Sequence, residues 1–266
     1  MLRVATANGA SGRDSRGTWS VEGWESWCAA AAGLDVDVLA VQEVDHLLPR
    51  SGGVDQAAVL DRTLAGSGPR WEHRFAAAVH GTPGRAVDFR SAPATDPAEP
   101  SYGVALASRH PVREWRELRL APSRIKLPLP LPPESGQRVL WVPDEQRVAL
   151  AAVVEAPDGP VSVVTTHLSF APTRAPAQLR ELVAWAADLP RPLVLLGDLN
   201  LPPVLLRTVG PVRAWTTALA EATYPAPEPR VQLDHVLLDG LRATGAGTHR
   251  LADSDHLAVR AELERG

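Results

Sequence analysis

Cysteine is almost missing from this sequence. Of 266 residues only Cys28 is a cysteine, which excludes an intramolecular disulfide and any multi-cysteine zinc site and fits a reducing compartment. Lysine is as scarce: Lys126 is the only one, and 27 basic against 31 acidic residues leave a formal net charge of -4. With no excess of positive charge and no Lys/Arg run, the chain is not built to hold long nucleic acid by neutralising phosphates, although local basic patches stay open. No apolar stretch reaches transmembrane length, and the N-terminus "MLRVATANGA" lacks a basic start followed by a long apolar segment. With Met1 as the native start, the expectation is a cytoplasmic chain without a membrane anchor.

A hydrophobic content of 45% and a charged content of 22% belong to an ordinary folded protein, not to a disordered chain or a coiled coil. Apolar runs bounded by turn residues recur: "LRVATA", "DVLAVQE", "YGVALAS", "RVALAAVVEA", "VSVVTTHL", "PLVLLGDL", "VQLDHVLLDG" and "HLAVRAEL". They read as strands. Helical spacing interrupts them over 19–32, 54–64 and 174–189. In the first of these Trp24, Trp27, Cys28 and Ala31 share one face, so Cys28 reads as buried packing. Two stretches, 80–101 and 121–136, are so rich in proline that they read as long loops without ladders or helices, either surface excursions or shapers of a substrate site. No internal repeat is visible and neither proline-rich stretch separates two self-sufficient cores, so a single domain over residues 1–266 is expected.

The ends of the strands carry the chemistry. A polar residue that terminates a buried strand costs desolvation energy unless it has a partner or a function. Here "VATAN" ends on Asn8, "LAVQE" on Glu43, "VVTTH" on His167, "LLGDLN" on Asp198 and Asn200, and "VQLDH" on Asp234 and His235, while "DSDH" opens the last strand with Asp255 and His256. Taken singly each has an ordinary reading: a turn residue for Asn8, an Asx turn for Asp198 to Asn200, a hydrogen-bonded structural histidine for His167 or His256.

Together they match the needs of phosphoryl or phosphodiester hydrolysis. Mg²⁺ prefers oxygen ligands and keeps several waters, so carboxylates with carboxamides suffice, and Glu43, Asp255, Asp198, Asn8 and Asn200 supply that set. His167 and His256 are available to steady phosphoryl oxygens or move a proton. Asp234 is a candidate for the carboxylate that orients such a histidine.

The order of these motifs, Asn8, "QE" at 42–43, "ALASRHPV" at 105–112, "RVAL" at 147–150, "TTHL" at 165–168, "GDLN" at 197–200, "LDHV" at 233–236 and "SDH" at 254–256, resembles the endonuclease/exonuclease/phosphatase superfamily of DNase I-like proteins. The resemblance spans almost the whole chain. It implies an α/β fold, a four-layer αββα sandwich of two packed mixed β-sheets with helices outside, and a site where loops from both sheets converge at one edge. It further implies Mg²⁺ (or Mn²⁺) held by Glu43 with Asn8 beside it and Asp255 completing or supporting the site. Asp198 would orient or deprotonate the attacking water, Asn200 hold the scissile phosphate, His167 stabilise it, and His256 with Asp234 form the family's His–Asp couple. Arg147 sits where the family often has an arginine, with no role assignable from sequence. Whether Asp198 or His256 takes the proton, and whether one or two metals act, stay open.

Departures from the family's branches narrow the substrate. After Asn8 the sequence continues Gly9-Ala10 with no acidic residue, and "LWVPDEQ" before Arg147 lacks the tyrosine expected there, both departures from the abasic-site endonuclease pattern. Lysine-bearing phosphate motifs of the inositol-phosphatase type have no counterpart. The expectation is a monomeric hydrolase of a phosphoester of unassigned class, with nucleic acid disfavoured by charge. Two rivals are a non-catalytic binding protein on the same scaffold and a calcineurin-like metallophosphatase, the latter lacking its Gly-Asn-His turn. Tyr224, in a Thr-aromatic-Pro segment, is expected to line or brace the cleft.

Overall fold

A computed structural model describes residues 1–266 except 15, 67, 69, 85–87, 125 and 131–138. In chain order its strands are β1 (Leu2–Asn8), β2 (Val38–His46), β3 (Glu72–Gly81), β4 (Phe89–Ser91), β5 (Ser101–Ser108), β6 (Val112–Leu120), β7 (Leu127–Pro130), β8 (Val139–Val142), β9 (Arg147–Ala156), β10 (Gly159–His167), β11 (Leu193–Asp198), β12 (Thr216–Thr217), β13 (Asp234–Asp239), β14 (Leu241–Arg250) and β15 (Leu257–Arg265). The helices are α1 (Val21–Ala32), α2 (Gln56–Ala65), α3 (Arg174–Trp185) and the single turn α4 (Pro203–Leu206).

Alternation along the strands sorts side chains into layers, because successive residues point to opposite faces of a sheet. On β1, Leu2 and Val4 join a core shared with Leu150, Val163, Val194 and Leu196 of the other sheet, while Ala5 and Ala7 pack outward with Trp24, Trp27 and Cys28 of α1. On β11, Val194 and Leu196 face inward and Leu193 and Leu195 face outward onto Leu179 and Leu182 of α3. The result is four layers: α1 and α2, a seven-stranded sheet in the order β14-β15-β1-β2-β5-β3-β4, a six-stranded sheet in the order β12-β13-β11-β10-β9-β6, and α3.

Both sheets are mixed. Each contains one parallel pair, β1 with β2 and β10 with β11, and each pair is joined through a helix, α1 or α3, as a parallel connection requires. Parallel partners end at the same edge, so Asn8 is paired with Gln42 and His167 with Asp198 at the carboxyl ends of the strands. That is where open α/β sheets bind ligands.

The strand expectations differ from the structure where apolar patterning is weak. β6 (VREWRELRL) and β14 (LRATGAGTHR) carry few apolar residues, since both lie toward sheet edges, where charged residues are tolerated and discourage edge-to-edge association. The two proline-rich stretches are not wholly loops. β4 lies within 80–101, and β7 within 121–136 pairs antiparallel with β8 in a ribbon of its own. Pro128 and Pro130 stand two residues apart in β7, so their missing N–H groups fall on one side of a two-stranded ladder, which needs donors only on the other. Residues 85–87, 125 and 131–136 of those stretches lie outside the described residues. The segment after β4 is strapped to the body: Thr95 Oγ1 accepts from the Ala77 N–H at 3.0 Å, Gln146 Nε2 donates to the carbonyl of Ala92, and His46 Nε2 donates to that of Pro97. Among the described residues no helix is long and apolar enough to cross a membrane.

Candidate active site

Between the sheets the packing changes character toward the carboxyl ends of the parallel strands. The apolar layer gives way to a polar row in which Gln42 Oε1 accepts from Thr6 Oγ1 and Gln42 Nε2 donates to Thr165 Oγ1, each at 3.1 Å, linking β1, β2 and β10 across the sandwich. All three residues are fully buried. Two residues farther on the same faces stand Asn8 on β1 and His167 on β10, with Asp198 beside His167. The period of two therefore places this next row at the rim.

Glu43 reaches the rim by another device. The pairing of β2 with β5 slips between Val41 and Val44, a β-bulge, and Glu43 takes a φ of +56°. A non-glycine residue in the left-handed region is unusual and persists only where its surroundings hold it. Here Ser11 Oγ donates to the Glu43 carbonyl at 3.1 Å, and Gln56 Oε1 accepts from the Asp45 N–H at 2.8 Å while its Nε2 donates to the Ser11 carbonyl. Opposite the bulge only glycine fits: a Cβ on Gly103 would lie 1.9 Å from the Ala76 carbonyl oxygen.

Asp198 is where contacts converge. The Asn8 carboxamide donates from Nδ2 to Asp198 Oδ2 at 3.2 Å and to Glu43 Oε1 at 3.0 Å, while its Oδ1 accepts from the Ala10 N–H. The Asn200 N–H donates to Asp198 Oδ1 at 3.0 Å. His167 Nε2 lies 3.5 Å and His256 Nε2 3.7 Å from Asp198 Oδ2. Asp198 is also the direct cross-strand partner of Asp234 in the β11–β13 pairing, and like charges so placed repel. Burial first, and the charge of Asp234 second, push the Asp198 carboxyl well above the ordinary carboxylate range, opposed by His256.

His256 answers that repulsion. Its Nδ1 lies 2.9 Å from Asp234 Oδ2. Burial alone would drive off its proton, but Asp234 and Asp198 outweigh burial and raise the imidazole to about 10. Tyr224 stacks obliquely on the ring at 4.8 Å between centroids, in the bracing position expected of it. His167 is the opposite case: burial, then the nearby positive charges of Arg147 and His256, hold it far below the usual histidine range, a neutral ring. One site thus holds a charged and an uncharged imidazole on either side of one carboxylate.

The structure brings Asn8, Glu43, His167, Asp198, Asp234 and His256 into one contiguous cluster. Asn200 takes a left-handed φ of +49° and donates from Nδ2 to the Leu168 carbonyl at 2.9 Å, tying the loop after β11 to the end of β10. Pro202 caps and Pro203 opens α4, which carries the chain away from the site. Asp255 stands half-buried beside His256, with Oδ2 3.5 Å from Arg13 Nη2 and Oδ1 buried without a hydrogen-bond partner. Arg147 is buried, paired with Glu145 Oε1 at 3.2 Å, and its Nε and Nη1 have no partner.

Sequence reasoning missed the residues that position these groups. Ser254 Oγ donates to the Asn8 carbonyl at 2.8 Å, which ties the last loop to the first strand. Thr223 Oγ1 accepts from the N–H groups of Leu233 and Asp234. Their only signals were neighbours, the Ser of "SDH" and the Thr before the aromatic-Pro pair.

Two groups of donors bear on a metal ion. Asp198, Asp234 and His256 each bring a ligand atom to within 4.8 Å of the others, a buried set of the kind that binds one. An ion bound there would have to displace the proton that Asp234 and Asp198 hold on His256. Glu43 and Asp255 offer oxygen atoms, although Glu43 Oε1 faces the Asn8 amide N–H and Asn8 Oδ1 already accepts from Ala10, and Asp255 Oδ1, without a partner among the described residues, is the orphaned atom that such an ion would satisfy.

Residues 17–256 match the model of the Endonuclease/Exonuclease/phosphatase family. No curated protein sequence matches the chain. Among solved structures it is similar to an endonuclease/exonuclease/phosphatase from Beutenbergia cavernae DSM 12333, with 23% identity over 100% of this chain and 72% of that one and a TM-score of 0.70. It is also similar to a mannosyl-6-phosphatase from Bacteroides thetaiotaomicron VPI-5482, with 15% identity over 99% of this chain and 100% of that one and a TM-score of 0.64. A third similar structure is humanized D. rerio TDP2, with 14% identity over 99% of this chain and 98% of that one and a TM-score of 0.64.

Proposed function

From the premise that this chain belongs to the endonuclease/exonuclease/phosphatase family, we propose that it is a metal-dependent phosphoester hydrolase in which water attacks phosphorus in line. The observation that carries this reading is the environment of Asp198: a buried carboxylate with raised proton affinity, aimed by Asn8 and the Asn200 N–H, between a neutral and a charged imidazole. A base whose proton affinity approaches neutrality is suited to accept a proton from water at physiological pH.

The roles follow from charge. Asp198 orients the water and accepts its proton. His256, kept charged by Asp234, places positive charge beside the phosphoryl oxygens, and its oriented ring is the group that can return a proton to the leaving oxygen. Neutral His167 steadies a phosphoryl oxygen by hydrogen bonding, and Asn200 holds the phosphate side of the cleft by bracing the end of β10. Glu43, Asn8 and Asp255 would hold Mg²⁺ or Mn²⁺, which when bound supplies Lewis-acid stabilisation of phosphoryl charge. Similarity to a protein named as a mannosyl-6-phosphatase puts phosphomonoesters among the substrates to try, and the acidic balance of the chain argues for small substrates over long nucleic acid.

The test is hydrolysis of bis-p-nitrophenyl phosphate and p-nitrophenyl phosphate with Mg²⁺, with Mn²⁺ and with EDTA. Metal-dependent turnover of either ester supports the proposal. No turnover of either, together with no metal-dependent thermal shift, favours a binding protein on the same scaffold.

A further inference from the structure

On the outer face of the six-stranded sheet lies a cavity of about 300 Å³. Its walls come from α4, from the 3₁₀ turn Gly210–Ala214, from β12 and from the start of β13. That volume is at the small end of ligand pockets. Three observations give it a chemical character.

The first is charge. No Asp or Glu lines the cavity, in a chain with 31 acidic residues and a net charge of -4, yet two arginines, Arg207 and Arg213, do. Both are exposed, and among the described residues neither side chain makes a hydrogen bond or an ion pair. Most of the other arginines here are engaged, as Arg3, Arg50, Arg191 and Arg260 are with carboxylates. A pair of idle guanidinium groups on one cavity mouth is suited to an oxyanion such as phosphate, which they can bind through bidentate, charge-assisted hydrogen bonds.

The second is the floor. His235 follows Asp234 on β13 and so points to the opposite face of the sheet, away from the active site and into the cavity wall. It is fully buried, and its Nε2–H donates to the Leu201 carbonyl at 2.8 Å. Burial lowers the proton affinity of the ring, opposed by Leu201, Asp234 and the Gln232 backbone, which leaves it neutral, and among the described residues Nδ1 has no partner in good hydrogen-bonding geometry. A buried acceptor without a donor is costly and calls for an explanation. The third is Trp215, a half-buried indole in the same wall that offers a flat apolar surface.

We propose that this cavity is a binding site for a small organic phosphate, its anionic head between Arg207 and Arg213 and its flat, donor-bearing body against Trp215 and toward His235. The site is separate from the hydrolytic cluster and does not depend on the activity assigned to it.

Adenosine monophosphate is a suitable probe, because it carries a phosphate, a planar ring and an amino donor. Calorimetric titration of the full chain in EDTA should give one saturable site. Adenosine should bind at least about tenfold more weakly, and the double variant Arg207→Glu/Arg213→Glu should lose affinity by at least about tenfold. Asp198→Asn should leave the dissociation constant within about twofold, since Asp198 does not line the cavity. Arg207→Met and Arg213→Met, each checked for an unchanged melting temperature, give the same reading should the double variant fail to fold. Absence of saturable binding, equal binding of adenosine, or binding retained by the arginine variants but lost in Asp198→Asn would each overturn the proposal.

Discussion

His256 spans two carboxylates: its Nδ1 lies 2.9 Å from Asp234 Oδ2 and its Nε2 3.7 Å from Asp198 Oδ2. Because β11 and β13 pair in register at Asp198 and Asp234, two negative charges are forced side by side in a buried place, and the imidazolium is what makes the arrangement tolerable. Under the proposed mechanism, function and stability are therefore opposed at this point of the molecule.

Asp198→Asn should abolish hydrolysis yet raise the melting temperature at pH 7.5. The folded-state proton affinity of Asp198 is raised above its unfolded value by burial and by Asp234, so the folded state holds the extra proton and loses stability as pH rises from the ordinary carboxylate range toward neutrality. The amide removes that cost. A gain on the order of 1 kcal/mol would appear as about 2–4 °C in scanning calorimetry, with turnover down by about 10² or more. An unchanged or lower melting temperature would refute the assignment of strain to Asp198.

Asp234→Asn should change how stability depends on pH. His256 has its folded-state value raised from 6.5 to about 10, so its contribution is complete below about pH 6.5 and is lost as pH rises through about 10. Removing the largest cause of the raised value should flatten the decline in melting temperature between pH 7 and 10. The alkaline limb of the kcat/KM profile should move to lower pH in the same variant.

Gly197→Ala should lower both stability and activity. A Cβ there would lie 2.2 Å from the Thr166 carbonyl oxygen, which is backbone and cannot swing aside, so β10 and β11 must part at the Thr166–Gly197 pair, next to His167–Asp198. Overpacking of this kind costs on the order of 1–3 kcal/mol, readable by urea denaturation, with kcat reduced beyond what the melting shift explains. Gly247→Ala, which meets nothing within 4 Å, is the control and should change neither.

Thr165→Val should cost about 1–3 kcal/mol, because it strands the buried Gln42 Nε2 that now donates to the Thr165 hydroxyl. Adding Gln42→Leu together with Thr6→Val should recover part of that loss, since Gln42→Leu alone would orphan the buried Thr6 hydroxyl that donates to Gln42 Oε1. A double-mutant cycle followed by urea denaturation measures the coupling, and strict additivity would show that the polar row contributes nothing as a unit.

Mg²⁺ or Mn²⁺ should raise the melting temperature of the native chain and not that of Glu43→Gln, since an ion bound only by the folded state stabilises it by mass action. Equal shifts in both proteins would place the ion elsewhere than at Glu43.

Much of this protein was legible in its chain. Apolar runs bounded by turn residues marked β1, β2, β5, β9, β10, β11, β13 and β15; the helical face of Trp24, Trp27, Cys28 and Ala31 marked α1; and polar residues closing buried strands marked Asn8, His167, Asp198 and Asp234 as groups in need of partners. These are local signals: alternation, strand length and the cost of burying a lone polar group act over a few residues and leave their trace in order along the chain. What lay beyond them depends on partners distant in sequence. The bulge that turns Glu43 to the rim exists only against β5 and under Ser11 and Gln56. A proline-rich stretch becomes a strand because β8 offers it a ladder, and Asp198 and Asp234 share one imidazole because strand order and register set them side by side. The same register sends His235 to the other face with its own cavity. Pairing and register are properties of the assembled sheets, and only the tertiary structure decides them.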